Sequence, residues 1–511
     1  MLRKMKSSTT LEARRAIRLK DYCFSIASAI LLILSFPDFN LWIFAWFGFV
    51  PVFFALKNKT RKEAFFLFFI TGIVFWAGVI YWLAHVTLAG TTLLILYLAL
   101  YFAIFGLIIR SVTRRSTPYA LIFIPSAWVL LEYARGCLMT GFPWALLGYS
   151  QYLNLPVIQI ADITAVWGVS FLIMFVNVAI VEIIWSIRNR LMSRLKIVAF
   201  FLILILILSL GYGYYRILGI KVASQESGSV KISIIQGNIP QELKWDERYN
   251  RFALEKYLDL SRLAAKGNPQ LIIWPEAAVP GIFGEDDWVY GRVFSLAKEI
   301  KIPLLVGAVV KERENYFGSA LLINAAGEIA GRYDKLHLVP FGEYIPLKNI
   351  FPFLETIVPI GDIQKGKEYT IFSPGFAVLD CFEDVFPDLA REFVKKGAGF
   401  LVNITNDAWY KRSSAPYQHL QASVFRAVEN RVYLARAANT GVSGFISPTG
   451  EIFSLVRDDS GKEIFVDGFA TEQIFKPEWP RTFYTRYGDI FPFLCLLFII
   501  YGKILTLKQK R

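Results

Sequence analysis

Eight apolar runs mark this sequence, at about 22–36, 41–56, 64–84, 91–109, 119–133, 166–187, 197–215 and 490–507. Each is near the ~20 residues that a helix needs to cross a bilayer core, although the first and fifth are short. Seven lie before one long polar stretch and one lies after it. The expected architecture is therefore a multi-pass α-helical membrane bundle of eight transmembrane helices with a large polar domain inserted before the last. The domains expected are 1–216 with seven helices, 217–488 as the polar domain, and 489–511 as the last helix and tail. A hydrophobic content of 55% and a mean hydropathy of +0.45 over 511 residues agree with several spans. The first run has the length of a signal peptide. No cleavage site follows it and Pro37-Asp38 turns straight into the second run, so a retained helix is expected.

The charge decides orientation and excludes a partner. The net charge of +14 could suggest nucleic acid. Yet 229–473 carries 27 Lys/Arg against 31 Asp/Glu, and the remainder carries 28 against 10. The positive charge belongs to the membrane segments, so no nucleic-acid face is expected. With the N-terminus inside, the basic residues before the first run, at 57–62, 110–115 and 188–196, and after 502 all fall on the cytoplasmic side. The polar domain then lies outside, which in a Gram-negative bacterium is the periplasm of the inner membrane. Within 135–164 an apolar, Gly/Pro-broken loop reads as interfacial or re-entrant.

The polar domain reads as α/β. Strands are expected at 230–236, 270–274, 304–310, 320–324, 376–379 and 399–404, and helices at 247–265, 287–300, 386–393 and 417–429. Cys23 and Cys495 lie in apolar runs and Cys137 follows one, so no disulfide framework is expected. His85, His337 and His419 show no metal-ligand spacing.

Three polar segments fall at strand ends: LIIWPEAAVP over 271–280 with Glu276, GRYDKLHLVPFGEYIP over 331–346 with Lys335 and Glu343, and the stretch holding Cys381. A carboxylate can take a thiol proton, and an ammonium can favour the thiolate and then the oxyanion of a tetrahedral intermediate. Taken singly, Cys381 reads as a small buried hydrophobe, Glu276 as a helix cap and Lys335 as a surface lysine. His337 invites a Cys–His dyad, but the chemistry needs no histidine. Glu132, Asp162 and Glu182 are acids near predicted span ends, where water can reach them. Asp384 and Asp388 flank the thiol and would oppose its ionisation unless Lys335 is close.

A Glu after a strand, a Lys in the middle and a Cys after a later strand is the order of the nitrilase superfamily. The segments IQGNIPQELKW at 235–245, IWPEAAVP at 273–280, DKLHLVPFGEYIP at 334–346 and NITNDAWY at 403–410 resemble the apolipoprotein N-acyltransferase family more closely. The resemblance implies an αββα nitrilase-like sandwich joined to the membrane bundle. It implies Glu276 as general base, Lys335 as stabiliser of the intermediate and Cys381 as nucleophile. Glu343 would support Lys335 or the base, and Glu383 matches a family acidic position. Trp245 would lie near the lipid or substrate entrance, with Asn406 and Trp409 shaping the pocket wall. Phe382 stands where the family commonly has Tyr, which keeps the ring and loses the hydroxyl.

The implied reaction moves an acyl chain from a phospholipid to Cys381, then from the thioester to the α-amine of a diacylglyceryl-cysteine on an apolipoprotein. It needs no ATP, metal or other cofactor. Its partners are the phospholipid, the diacylated apolipoprotein and the bilayer. A membrane-anchored amidase acting on a small soluble amide would use the same three residues with water as acceptor, but one anchor would suffice for it. A transporter with a binding domain is a third reading, against which the spans show no paired mid-membrane charges or inverted repeat. The stretches 281–288 and 351–362 read as lipid-facing loops.

Overall fold

The computed structural model describes residues 2–110, 117–224, 228–241, 247–346, 363–476 and 479–508. Two compact units emerge. One gathers Met1–Gln151, Val166–Tyr212 and Asp489–Arg511; the other gathers Tyr152–Ala165 and Gly213–Gly488.

The first unit is helical. Among the described residues, five helices are long and apolar enough to cross a membrane: Arg61–Val79, Leu88–Arg110, Tyr119–Cys137, Ala161–Arg188 and Met192–Ile220. These are five of the eight apolar runs. The run at 41–56 divides into a tight turn, Trp42–Trp46, and a short helix, Val50–Ala55. Pro51 lies in the first turn of that helix, where its missing N–H and fixed φ favour a new helix start over continuation from residue 47. The run at 22–36 belongs to the helix Leu2–Leu34, and that at 490–507 contains the shorter apolar helix Ile490–Gly502. The helices Arg61–Val79 and Leu88–Arg110 approach through small residues. A Cβ on Gly72 would stand 2.9 Å from Ala99 Cα, and one on Gly106 would stand 2.8 Å from the Ala64 carbonyl oxygen. Close backbone approach replaces the hydrophobic effect that lipid does not supply.

The middle of the loop at 135–164 is enclosed in protein. Residues 143–152 are buried, and Tyr152–Ala165 belongs to the second unit. Its apolar character reflects burial in protein, the setting in which irregular backbone is tolerated. Two of the acids near span ends have cationic partners. Asp162 receives Arg431 Nη2 at 2.9 Å and Arg216 Nε at 2.8 Å, and Glu182 receives Arg194 Nε at 3.0 Å. Glu132 Oε1 accepts the Leu147 N–H at 2.7 Å.

Among its described residues the second unit has twelve strands in two sheets. In chain order they are β1 (Ser229–Gln236), β2 (Leu271–Ile273), β3 (Ile282–Phe283), β4 (Leu304–Glu312), β5 (Asn315–Ile323), β6 (Ile329–Asp334), β7 (Phe376–Asp380), β8 (Phe400–Thr405), β9 (Tyr433–Ala438), β10 (Gly444–Ile446), β11 (Ile452–Phe453) and β12 (Gly468–Phe475). One sheet runs β12-β1-β2-β4-β5-β6 with β3 beside β4; the other runs β11-β10-β9-β8-β7. The pairs β1/β2, β2/β4, β7/β8 and β8/β9 are parallel. Parallel strands end on one side, which gathers their C-terminal loops. The helices Glu247–Ala265 and Asp287–Ile300 pack with the first sheet around a core of Trp274, Tyr257, Leu254 and Val293. The helices Pro387–Lys396 and Ala415–Asn430 pack on the second, and the sheets meet through β1 with β9 and β5 with β7.

Arg431 ties the segment at 152–165 into this unit. It is fully buried and donates to Asp162, to Gln159 and, at 2.9 Å, to the Pro448 carbonyl. Removing Arg431 leaves Asp162 with Arg216 and takes the buried donor from the Gln159 and Pro448 carbonyls. Arg431→Met is therefore expected to cost at least about 2 kcal/mol. Arg262→Ala, which breaks the exposed pair with Glu299, should cost under ~1 kcal/mol. Denaturant unfolding of the two variants in detergent checks the contrast.

Candidate active site

The three strand-end segments converge. Glu276 lies three residues beyond β2, Lys335 directly follows β6, and Cys381 directly follows β7. Lys335 Nζ donates to Glu343 Oε1 at 2.7 Å and to Glu276 Oε1 at 3.3 Å, and lies 3.8 Å from Asp380 Oδ1. Its side chain is only 1% exposed. Burial alone would lower the lysine pKa, but Glu343, Glu276 and Asp380 hold it well above the usual lysine range. Lys335 is a permanent cation.

Glu276 is placed by what β4 lacks. A Cβ on Gly307 would lie 2.2 Å from the Pro275 carbonyl oxygen and 2.6 Å from Glu276 Cα. Only glycine lets the Glu276 segment cross that strand. Glu343 is fixed at its second oxygen, which accepts the Val339 N–H at 2.7 Å.

Cys381 has a left-handed backbone, φ +54°, a conformation that non-glycine residues hold only when their surroundings impose it. Its carbonyl accepts from Asn403 Nδ2 at 3.1 Å and lies 3.1 Å from His419 Nε2, while Thr405 Oγ1 donates to its Sγ at 3.2 Å. Burial pushes the thiol well up, Glu276 pushes it further, and Lys335 pulls it down. Cys381 is thus a buried thiol in the field of a carboxylate and an ammonium. Such a site can pass the proton to the carboxylate during attack and meet the developing oxyanion with the ammonium.

Glu383 is fully buried and held by hydrogen bonds on both oxygens. Its Oε1 accepts the N–H groups of Leu336 (2.6 Å) and His337 (2.9 Å), and its Oε2 accepts the Asp380 N–H (2.7 Å). The Tyr333 hydroxyl lies within hydrogen-bond distance of both oxygens. This carboxylate clamps the lysine segment to the cysteine segment. Burial pushes it up to about 7, against the donors that favour its ionised form.

The other expected residues take supporting places. Phe382 is buried, with its ring 5.2 Å edge-on from Phe386. Asn406 donates to Gln241 Oε1 at 2.9 Å and accepts from Asn439 Nδ2 at 2.9 Å, pinning the segment that leads toward Trp245. Trp245 and the stretch 351–362 lie outside the described residues. Trp409 is exposed. The His337 ring lies 3.8 Å from that of Phe386, and Asp388 is exposed. Asp384 is not free to oppose the thiolate, because it pairs with Arg436 at 3.1 Å and lies 2.8 Å from His419 Nε2.

Several contributors escaped the sequence reading. Asp380 sits beside the cysteine and could have been found by adjacency. Asn403 and Thr405 lie within the segment 403–410 already singled out. Asp407 lies there too, but its partners His419 and Arg436 come from a helix and a strand with no local signal. The Glu383 clamp suggests a clean test. In Glu383→Gln the amide NH2 must face backbone N–H groups, so a loss of about 1–3 kcal/mol is expected. Alkylation of Cys381 should change with it, because both segments of the site shift. Thermal melting and peptide mass mapping after iodoacetamide check this.

Residues 28–179 match the apolipoprotein N-acyltransferase N-terminal domain family and residues 231–466 the carbon-nitrogen hydrolase family. A curated relative from Geobacter metallireducens, named apolipoprotein N-acyltransferase, is 39% identical over 503 residues, with 94% of each chain covered. A relative of the same name from Haemophilus influenzae is 29% identical over 520 residues, with 96% of each covered. A solved amidase from Nesterenkonia sp. covers 50% of this chain and 92% of its own at 20% identity and a TM-score of 0.38, a likeness too distant to argue from. On sequence, across both the helical and the hydrolase-like parts, the chain belongs to the apolipoprotein N-acyltransferase family.

Proposed function

We propose that this enzyme transfers an acyl chain from a phospholipid, through a thioester on Cys381, to the N-terminal α-amine of diacylglyceryl-cysteine in apolipoproteins. The observation that carries the reading is the buried Lys335 ammonium bound to Glu276 and Glu343 in a chain that also has membrane-length helices. A soluble amide would need no such helices, and family membership extends over both parts of the chain.

The cycle has two halves. Glu276 takes the thiol proton as Cys381 Sγ attacks the ester carbonyl carbon, and Lys335 faces the oxyanion. The carbonyl re-forms, the C–O bond to glycerol breaks, and the leaving lysophospholipid oxygen receives the proton from Glu276. In the second half the acceptor amine attacks the thioester carbonyl and loses a proton to Glu276. The C–S bond breaks and the thiol is restored. The second half runs downhill, because a thioester is less stabilised by resonance than the amide that replaces it.

Glu343 holds Lys335, and Glu383 positions both reacting segments. Phe382 packs rather than donates. Trp245, Asn406 and Trp409 form the approach for substrate. The architecture that suits this reading is eight helices with both termini cytoplasmic. An αββα catalytic domain at 217–488 then lies in the periplasm, between the membrane domain 1–216 and the last helix at 489–511, in the bacterial inner membrane. The charge asymmetry along the chain supports that orientation. Both substrates are then lipids of the outer leaflet.

Incubating the detergent-purified protein with phospholipid should add an acyl mass that hydroxylamine removes and that Cys381→Ala lacks. A folded wild type that acquires no such mass from any phospholipid would count against the thioester and favour the amidase. Glu276→Gln and Lys335→Met should each slow thioester formation by at least about 100-fold, as expected for loss of a proton acceptor or an oxyanion partner. Loss of Lys335 also removes the larger of the two pulls, its own and that of the Thr405 hydroxyl, that lower the thiol pKa. Alkylation of Cys381 in Lys335→Met should therefore need a higher pH than in wild type, read as the shift of the rate–pH curve.

A further inference from the structure

Behind Cys381 lies a second set of charges that the reaction does not consume. His419, Asp384, Asp407 and Arg436 are all at most 2% exposed. Arg436 Nη1 lies 3.1 Å from Asp384 Oδ2, and its Nη2 lies 3.2 Å from Asp407 Oδ2. The His419 ring sits between the same two carboxylates, with Nδ1 3.0 Å from Asp407 Oδ1. Its Nε2 is 3.1 Å from the Cys381 carbonyl oxygen and 2.8 Å from Asp384 Oδ1. We propose that His419 is a fixed imidazolium whose task is to position the nucleophile Cys381.

The protonation follows from the neighbours. Both ring nitrogens face acceptors, and a neutral imidazole has only one N–H to offer. A neutral ring would set a lone pair against either a carboxylate or a carbonyl. Two protons on the ring serve Asp407 and the Cys381 carbonyl, bring positive charge against Asp384, and leave two buried cations against two buried anions. Burial would lower the His419 pKa, and Arg436 opposes its charge, but Asp384 and Asp407 together lift it to about 9. Asp407 is correspondingly held below the usual carboxylate range by His419 and Arg436, against its burial. The positive ring persists through neutral pH and is lost only as the pH rises through about 9.

The positioning follows from where that charge points. The Cys381 carbonyl receives two donors, His419 Nε2 and Asn403 Nδ2, each at 3.1 Å. Asn403 is itself oriented by Arg436, whose Nη1 reaches its Oδ1 at 2.6 Å. Both donors thus issue from one charged cluster. They fix the peptide plane after Cys381 and so hold its left-handed backbone, which aims the thiol. His419 touches no reacting atom, so it acts through the cysteine.

The proposal rests on Cys381 being the nucleophile, and the test separates the two. Nitrogen-15 spectra of histidine-labelled full-length wild type, assigned by removing His85 and His337 (the other two histidines), should show both His419 nitrogens protonated at pH 7.5. A neutral His419 ring overturns the proposal, and this arm needs no His419 variant to fold. Alkylation of Cys381 by iodoacetamide, normalised to folded protein, should be at least about tenfold slower in His419→Gln, because a displaced nucleophile loses its alignment. Val424→Ala, an apolar truncation on the same helix, should keep the wild-type rate per folded molecule. An unchanged or faster rate in His419→Gln overturns the proposal. With phospholipid, thioester formation should fall about 100-fold in kcat while KM holds. If the wild type forms no thioester with any lipid, the acyltransfer reading fails and the spectra and alkylation still decide the role of His419.

Discussion

The Lys335 ammonium is the constraint on which the rest of the site depends. It is 1% exposed, and an isolated charge at that depth would cost several kcal/mol. Glu343, Glu276 and Asp380 offset that cost from separate parts of the chain. The dependence is mutual, since Glu276, Glu343 and Asp380 each lose a buried cation without the ammonium. Three strand ends are thereby locked to one point, and the thiol beside them inherits an electrostatic setting it could not create alone. Competing pulls act on Cys381, up from burial and Glu276 and down from Lys335, with burial the largest.

Around that point the backbone is held by groups that do no chemistry. Glu383 gathers backbone N–H groups from the lysine and cysteine segments at once. Gly307 leaves the space that Glu276 crosses. The cluster of His419, Asp384, Asp407 and Arg436 orders the far side of Cys381. The site is thus built from two buried charge clusters with Cys381 between them. Lys335 stands on one side and His419 on the other. Such clusters are poor sources of net stability but strict about geometry, because any misfit leaves a buried charge unpaired.

The helical unit follows other rules. Apolar length alone suggested eight spans, and five helices among the described residues meet that standard. The run at 41–56 shows why length is insufficient: Pro51 and the turn before it divide the run, and its aromatic rings pack into the bundle. Phe49, for example, lies 4.8 Å edge-on from Trp128. In the same way the apolar loop at 135–164 is apolar because it is buried, and Asp162 within it is matched by Arg431 and Arg216.

The sequence by itself determined the broad plan. Apolar runs, the shift in charge balance and the alternation of the polar stretch specify helices around an α/β domain, because burial and periodicity are local properties of a chain. It also marked Glu276, Lys335, Glu343, Cys381 and Glu383, since each stands in a distinctive short segment at a strand end or turn. The strands β6 and β12 were not legible, being largely half-exposed, and neither was β9, which is fully buried but made mostly of Ala and Arg, residues with little strand preference of their own. What Glu383 does, where His337 goes, and why His419 and Arg436 matter were decided only by tertiary structure. The physical reason is that a charge buried in one element is tolerated only through partners from others. His419 comes from a helix, Arg436 from β9, Asp384 from the turn after β7 and Asp407 from the turn after β8, and no window along the chain contains all four.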